Sequence, residues 1–273
     1  MRPRVSFGII GTTDASAVAA LAPRLERLGF ETLWVNDVPG GDSLERLRVA
    51  ADGTERLRLA TGVIPIDRRP VATLDLAGIP AERTTFGIGS GRAAKPLGLM
   101  RAGVAELRGR SEASIALGAL GPKMRELAAE LADGVLLNWL TPEAARAATA
   151  EQRASATAAG RAAADGRVVT YVRTVTDEAA RPVLEVEAHR YEQVPAYAAN
   201  FARLGTGALD ATIQTAARLA DYLADGIADE VVLRAITPTN ALAELERFAE
   251  TAAEWLDGGI ADAGIADARR NDV

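Results

Sequence analysis

Eight short β-rich runs alternate with longer segments of helical period along 273 residues. This rhythm predicts an α/β protein built as a single TIM-type (β/α)8 barrel. Two further observations agree. The length is close to the roughly 250 residues at which eight such units close into one domain, and 48% of the residues are apolar, enough for one sizeable core.

The elements follow in order. Residues 5–10 read as a buried strand; Val18, Leu21, Leu25 and Leu28 then recur at helical spacing until Gly29 supplies a stop. Residues 32–35 begin the second unit, followed by a polar helix around 44–51. Strand three covers 57–64, and Pro70 opens a third, shorter helix. Strand four is 85–88 with a helix around 97–107; strand five is 113–117 with a helix over 122–132. Strand six is 135–137, and Pro142 opens a helix expected to reach about residue 164. Strand seven is 168–172, strand eight is 231–233, and a last helix ends near Trp255. The longest connection, residues 174–229, is expected to hold two or more helices and an excursion near 205–209. The barrel domain is drawn over residues 1–257. Residues 258–273, rich in Gly, Ala and Asp without a clear apolar period, are expected to form a flexible tail.

Composition narrows the function. A net charge of −6 opposes approach to a nucleic-acid backbone or an anionic membrane surface. With no cysteine, and His189 as the only histidine, disulfides, thiolate nucleophiles and His/Cys metal clusters are excluded; no metal site is expected. The apolar run 5–10 is too short for a signal peptide and soon meets Asp14. No uncharged apolar run approaches the roughly 20 residues of a membrane span, so a cytoplasmic location is expected.

In a β/α barrel, chemistry sits in the loops at the C-terminal ends of the strands. The strongest signal there is Gly118-Ala119-Leu120-Gly121-Pro122-Lys123-Met124, where a strand enters a glycine-bounded turn and a helix with proline at its first position. Amides at the helix start, the positive end of its dipole and Lys123 suit a phosphate or carboxylate; the same spacing also describes a tight structural corner. A second place, Phe86-Gly87-Ile88-Gly89-Ser90-Gly91-Arg92, resembles half of a dinucleotide fingerprint. Arg92 stands where the third glycine belongs, and Pro96 delays the next helix. A backbone floor for a flat ring, around Ser90 and Gly91, suits it better, with a plain turn as the alternative.

The third place is Asn36-Asp37 at the end of strand two, where alternation lets only one of the pair point into the barrel; Asp37 also reads as a loop cap. The fourth is Thr61-Gly62-Val63, whose glycine inside a strand suggests a bulge or close ligand contact; Arg68 and Arg69 beyond it read as solvated loop charges. Asn138, Trp139, Arg173 and Arg234 end strands six, seven and eight at the same rim and are candidate substrate contacts by position. Tyr191 and Tyr197 either cover a pocket or pack a helix interface. His189, among Glu185, Glu187, Arg190 and Glu192, reads as part of a solvated helix face.

Taken in order, these rim segments resemble the luciferase-like family of flavin- and deazaflavin-dependent oxidoreductases, most closely its short members that use coenzyme F420. The matching text is Leu28-Gly29-Phe30-Glu31-Thr32-Leu33-Trp34-Val35-Asn36-Asp37, then residues 54–63, 87–91 and 118–141, so that roughly residues 5–145 carry it. The resemblance implies a barrel with the cofactor ring over the strand mouths, backed by a bulge with a non-prolyl cis peptide at Gly62-Val63. It implies a phosphate-holding turn at Gly118 to Met124 and cofactor contacts from Asn36, Asp37, Thr61, Ser90 and Gly91. Hydride transfer between F420 and a small organic substrate is the chemistry implied, with Asp37 as the candidate proton donor. FMN is the alternative cofactor, in a monooxygenase of the same fold; a non-catalytic cofactor-binding member is a further alternative. Val38 stands where many relatives carry a histidine, and the chain between Arg92 and Leu97 is short where longer relatives have a substrate-covering insertion. A homodimer is the assembly the resemblance implies.

Overall fold

The computed structural model describes residues 3–162 and 166–268. Its strands are β1 (Arg4–Ile10), β2 (Thr32–Asn36), β3 (Arg58–Thr61), β4 (Ile64–Pro65), β5 (Thr84–Gly89), β6 (Ser114–Gly118), β7 (Gly134–Asn138), β8 (Arg167–Thr174), β9 (Thr212–Ile213) and β10 (Glu230–Ala235). The parallel ladder runs β10-β1-β2-β3-β5-β6-β7-β8, and β8 pairs back to β10, so the sheet closes on itself as an eight-stranded barrel. The short β4 continues β3 beyond a break and pairs with β5, while β9 adds to the end of β8.

The helices are α1 (Ala15–Arg27), α2 (Ser43–Asp52), α3 (Pro96–Arg108), α4 (Pro122–Leu131), α5 (Pro142–Ala158), α6 (Arg181–Glu192), α7 (Pro195–Leu204), α8 (Ala216–Tyr222) and α9 (Leu242–Ala268). Apolar residues at helical spacing, such as Val18, Leu21, Ala22 and Leu25 of α1, press onto the outward strand residues and form the main core between sheet and helices. A smaller cluster of Trp34, Ala60, Leu136, Val169, Tyr171 and Val232 fills the barrel lumen. Strand residues alternate faces, so Asn36 two positions after Trp34, Arg173 two after Tyr171, and Arg234 two after Val232 belong to the next interior layer, at the C-terminal mouth.

The floor of the lumen is charged. Glu230, with no exposed surface, accepts from the Trp34 indole at 2.8 Å and from the Ser6 hydroxyl, and pairs with Arg167 at 2.7 Å.

Four sequence expectations change. Strand three is interrupted between Thr61 and Ile64, where the backbone departs from the ladder. The helix expected after Pro70 is absent: a 3-10 turn at Val71–Thr73 and another at Ala81–Arg83 span the segment. Pro80, without an amide hydrogen, and Gly78 at φ +73° break any longer helix there. Helix α5 stops at Ala158 rather than near residue 164, with Gly160 at φ +76° turning the chain away. The last helix does not end near Trp255; α9 continues to Ala268, and residues 269–273 of the expected tail lie outside the described residues. The long connection after β8 holds α6, α7, the two-residue β9 and α8, with a turn at Gly205.

Candidate active site

The barrel mouth divides into two arcs. Along β3, β5 and β6 it is lined by backbone. The Gly62-Val63 peptide is cis, as the resemblance implies. The Asn36 side-chain amide donates to the Gly62 carbonyl, so the neighbouring strand β2 holds the bulge. Val63 lies over the glycines of the neighbouring strands: a Cβ on Gly89 would sit 2.6 Å from Val63 Cγ2, and one on Gly118 would sit 3.2 Å from Val63 Cγ1. The glycines of 87–91 therefore remove an obstacle to Val63 and to the Thr61 carbonyl before any obstacle to a ligand. Thr61 is itself buried, its hydroxyl donating to the Gly87 carbonyl at 2.8 Å. Ser90 is half-buried at the rim; exposed Gly91, at φ +55°, is packed by the Asp67 carboxylate, which accepts from the Arg92 amide at 2.8 Å.

The turn after β6 adjoins this bulge. Not every amide in it is open, since that of Ala119 donates to the Leu136 carbonyl at 3.0 Å and extends the sheet. The buried Arg125 donates to the Leu120 carbonyl at 3.1 Å and pairs with Glu151, bracing the turn from behind. Helix α4 starts with Gly121 as N-cap and Pro122 at its first turn, and no side chain caps it. Neighbouring α3 starts at Lys95 and Pro96, likewise uncapped. Pro96, Leu97, Gly121, Pro122, Lys123 and Met124 line one depression of about 420 Å³ between the two helix starts. The chain contains two lysines, Lys95 and Lys123, and both are exposed at these starts. The surface of the depression is almost wholly apolar, while the uncapped first-turn amides and positive dipole ends lie at the two helix starts beside it.

Side chains line the opposite arc, along β7, β8, β10 and β2. Asn36 Oδ1 accepts from Tyr171 Oη and from Arg234 Nε, each at 2.9 Å. Burial raises the Tyr171 phenol above the ordinary tyrosine range despite the cations of Arg234 and Arg173 nearby. Arg173 donates to Glu187 at 2.9 Å and to Asn138 Oδ1, and its guanidinium lies 4.1 Å from the Trp139 ring centroid and 4.8 Å from that of Tyr191. Burial alone would raise the Glu187 carboxyl, but the guanidinium groups of Arg173 and Arg234 outweigh it and hold it below the ordinary 4.5. Trp139, at φ +55°, is fully buried against Phe201 and Tyr191. Tyr197 stacks edge-on against Tyr191, and its phenol is pushed up to about 12 by burial. These tyrosines thus pack the α6–α7 layer onto the end of β7, while His189 is exposed on α6.

Of the pair at the end of β2, Asn36 points into the mouth and Asp37 points away. The Asp37 side chain has no exposed surface; it accepts from Arg68 at 2.9 Å, from Arg69 and from Ser43 Oγ at 2.8 Å. Arg68 and Arg69, read from sequence as solvated charges, are therefore its partners. Tyr171 escaped the sequence reading, and Glu187, read there as part of a solvated helix face, is instead the partner of buried Arg173. Tyr171 lay inside a mostly apolar strand run, although its two-residue step to Arg173 was the available signal. Among the described residues no three His, Cys, Asp or Glu side chains gather to hold a metal, and no helix is long and apolar enough to cross a membrane.

A family profile described as luciferase-like monooxygenase matches residues 4–112 and 105–255. The chain belongs to this family. Among characterised relatives it is similar to a 5,10-methylenetetrahydromethanopterin reductase of Methanolobus tindarius, 28% identical over 209 residues, which cover 61% of this chain and 64% of that protein. The match thus spans under two thirds of that relative's length. Two solved structures share the luciferase-like fold at lower identity. An F420-dependent secondary alcohol dehydrogenase bound to an F420-acetone adduct has a TM-score of 0.70 and 12% identity, covering 92% of this chain and 98% of that one. Monooxygenase RslO1 from Streptomyces bottropensis has a TM-score of 0.69 and 19% identity, covering 93% and 98%.

Proposed function

We propose that this member of the luciferase-like family is a coenzyme F420-dependent oxidoreductase that exchanges a hydride between the deazaflavin and a small organic substrate. The observation that carries the reading is the backbone arc: the Gly62-Val63 bulge adjoins, through Gly118, the lysine-flanked starts of α3 and α4. A flat ring ending in a phosphate fits that sequence of surfaces. Gly121 leaves open space where a side chain would stand, so Leu120, Gly121, Pro122, Lys123 and Met124 would hold the phosphate. Thr61, Gly62, Val63, Ser90 and Gly91 would back the ring, with Asn36 fixing the bulge. When bound, F420 supplies a two-electron hydride donor or acceptor.

The chain's own residues position the rest. Asn138, Arg173 and Arg234 form the wall against which a substrate would be held over the ring face, while Trp139, fully buried behind the Arg173 guanidinium, backs that wall in place of touching the substrate, and the α6–α7 layer excludes water from its far side. Asp37 anchors the β2–α2 loop through Arg68 and Arg69 and so fixes Asn36, a positioning role in place of proton donation. The reductase relative and the F420-bound alcohol dehydrogenase fold favour F420. The equally close fold of RslO1 favours the second reading, an FMN-dependent monooxygenase. A cytoplasmic homodimer acting on a small molecule is the setting in either case.

Titration of the purified protein with F420 and with FMN, followed by mass spectrometry of any co-purified cofactor, tests the choice. F420 is expected to bind at least 10-fold more tightly than FMN, and Lys123→Ala to weaken F420 about 3- to 10-fold with a shallower salt dependence. Oxygen consumption coupled to reduced FMN would overturn the F420 reading.

A further inference from the structure

Arg234 is 4% exposed, yet no carboxylate lies within 4 Å of it among the described residues. Its protein partners are neutral: Nε donates to Asn36 Oδ1, Nη1 donates to the Ala235 carbonyl, and Nη2 has no partner. Across the ladder, Arg234 is in register with Arg173, so the two side chains leave adjacent strands about 5 Å apart, at the same interior layer. Arg173 spends Nε on Glu187 and Nη1 on Asn138, and its Nη2 is also unpartnered. Among the described residues Glu187 is the one acid drawn to this pair, so two cations and one anion leave a net positive charge at the mouth of a protein whose overall charge is −6. A buried guanidinium without a counter-charge is costly and is usually relieved by a partner. Neither Arg173 nor Arg234 belongs to the phosphate corner, which lies on the backbone arc.

From this placement we infer that the substrate carries a carboxylate, received by the free Nη2 donors of Arg234 and Arg173. Guanidinium groups match the planar two-oxygen geometry of a carboxylate and keep their charge at any working pH. Asn36 sets the direction of the fork by holding Arg234 Nε, and Glu187 with Asn138 does the same for Arg173. A ligand oriented this way would have its uncharged portion facing the bulge at Gly62-Val63. The inference deepens the reading of the mouth as a substrate site and rests on it, but it concerns a surface that exists without the cofactor.

The test therefore uses the protein without cofactor. Isothermal titration at constant ionic strength compares benzoate with benzamide, which share a shape and differ in charge. Benzoate is expected to bind at least 10-fold more tightly. Arg234→Gln should abolish that preference, and Arg234→Lys should keep part of it. Asn36→Asp, which gives Arg234 an internal counter-charge at nearly unchanged volume, should also abolish it. Lys123→Ala should leave it intact, which separates this subsite from the phosphate corner. Circular dichroism and thermal unfolding of each variant identify any that fail to fold. Absence of a preference for benzoate over benzamide in the wild-type protein, whether through equal binding or through none, overturns the inference. So does an undiminished preference in folded Arg234→Gln. Failure of F420 to bind while the benzoate preference persists would instead remove the cofactor reading and leave the carboxylate subsite standing.

Discussion

At the N-terminal floor of the barrel the Glu230 carboxylate sits among Trp34, Ser6 and Arg167, whereas at the C-terminal mouth the Arg234 guanidinium meets only an amide oxygen and a peptide carbonyl. Glu230 opens strand β10 and Arg234 is its penultimate residue, and both point into the same lumen. The floor charge is compensated by a cation and neutral donors, so its chemistry is complete within the chain and its effect is on stability. The mouth charge is left incomplete, which is the state expected of a binding surface. Local burial is similar at both ends; compensation is what separates scaffold from site.

The largest effect should come from breaking the floor. Glu230→Ala strands the Trp34 indole N–H and the Ser6 hydroxyl in the lumen and is expected to cost about 3 kcal/mol in urea denaturation. A loss well under about 1 kcal/mol would mean that the floor is as dispensable as the mouth. Asp37→Asn should follow, at about 1–2 kcal/mol, because two partly exposed arginines lose their buried anion. Its binding of F420 should fall as the Asn36 loop loosens, and unaltered F420 affinity would detach Asp37 from the site. At the mouth the sign is expected to change. Arg234→Met removes an uncompensated charge and should leave stability within about 1 kcal/mol of wild type, or raise it, as read by the same denaturation.

The smallest effect depends on pH. The carboxyl of Glu187 is held below 4.5 by its guanidinium neighbours after burial has raised it. Its contribution to stability is therefore complete above about 4.5 and is lost as pH falls through the lower folded-state value. Glu187→Gln should be less stable than wild type at about pH 7, with the gap narrowing toward about pH 3. A gap that stays constant across this window would take the ion pair out of the balance.

The barrel was legible because its signals are local: the alternation of apolar strand and helical period recurs eight times, punctuated by stops such as Gly29 and starts such as Pro122 and Pro142, and each signal needs only a few neighbouring residues. The rim positions followed from the strand ends, which is why Asn36, Gly62, Gly118, Arg173 and Arg234 could be singled out. Their partners could not, because pairing depends on which strands adjoin. Asn36 and Asp37 are chemically similar and adjacent, and only the registration of β2 makes the first a mouth residue and the second an outward anchor. Glu230 follows Asp229 and reads as the acidic end of a loop, yet strand closure carries it into the lumen. The missing third helix is a local failure: Pro70 is a good first residue, but Gly78 and Pro80 are too close behind it for a helix to persist.

The position of the two lysines has a practical consequence. Because Lys95 and Lys123 flank the starts of α3 and α4, every lysine side chain that an amine-directed reagent can modify lies at that one corner, the α-amine being the other reactive group. At a pH where the lysines react, and with labelling read at the two lysine-containing peptides, an acylating fluorophore or cross-linker thus becomes a reporter of the rim of the depression they border. Protection of both amines by a bound anion would be read directly as lost labelling, without any substitution in the chain.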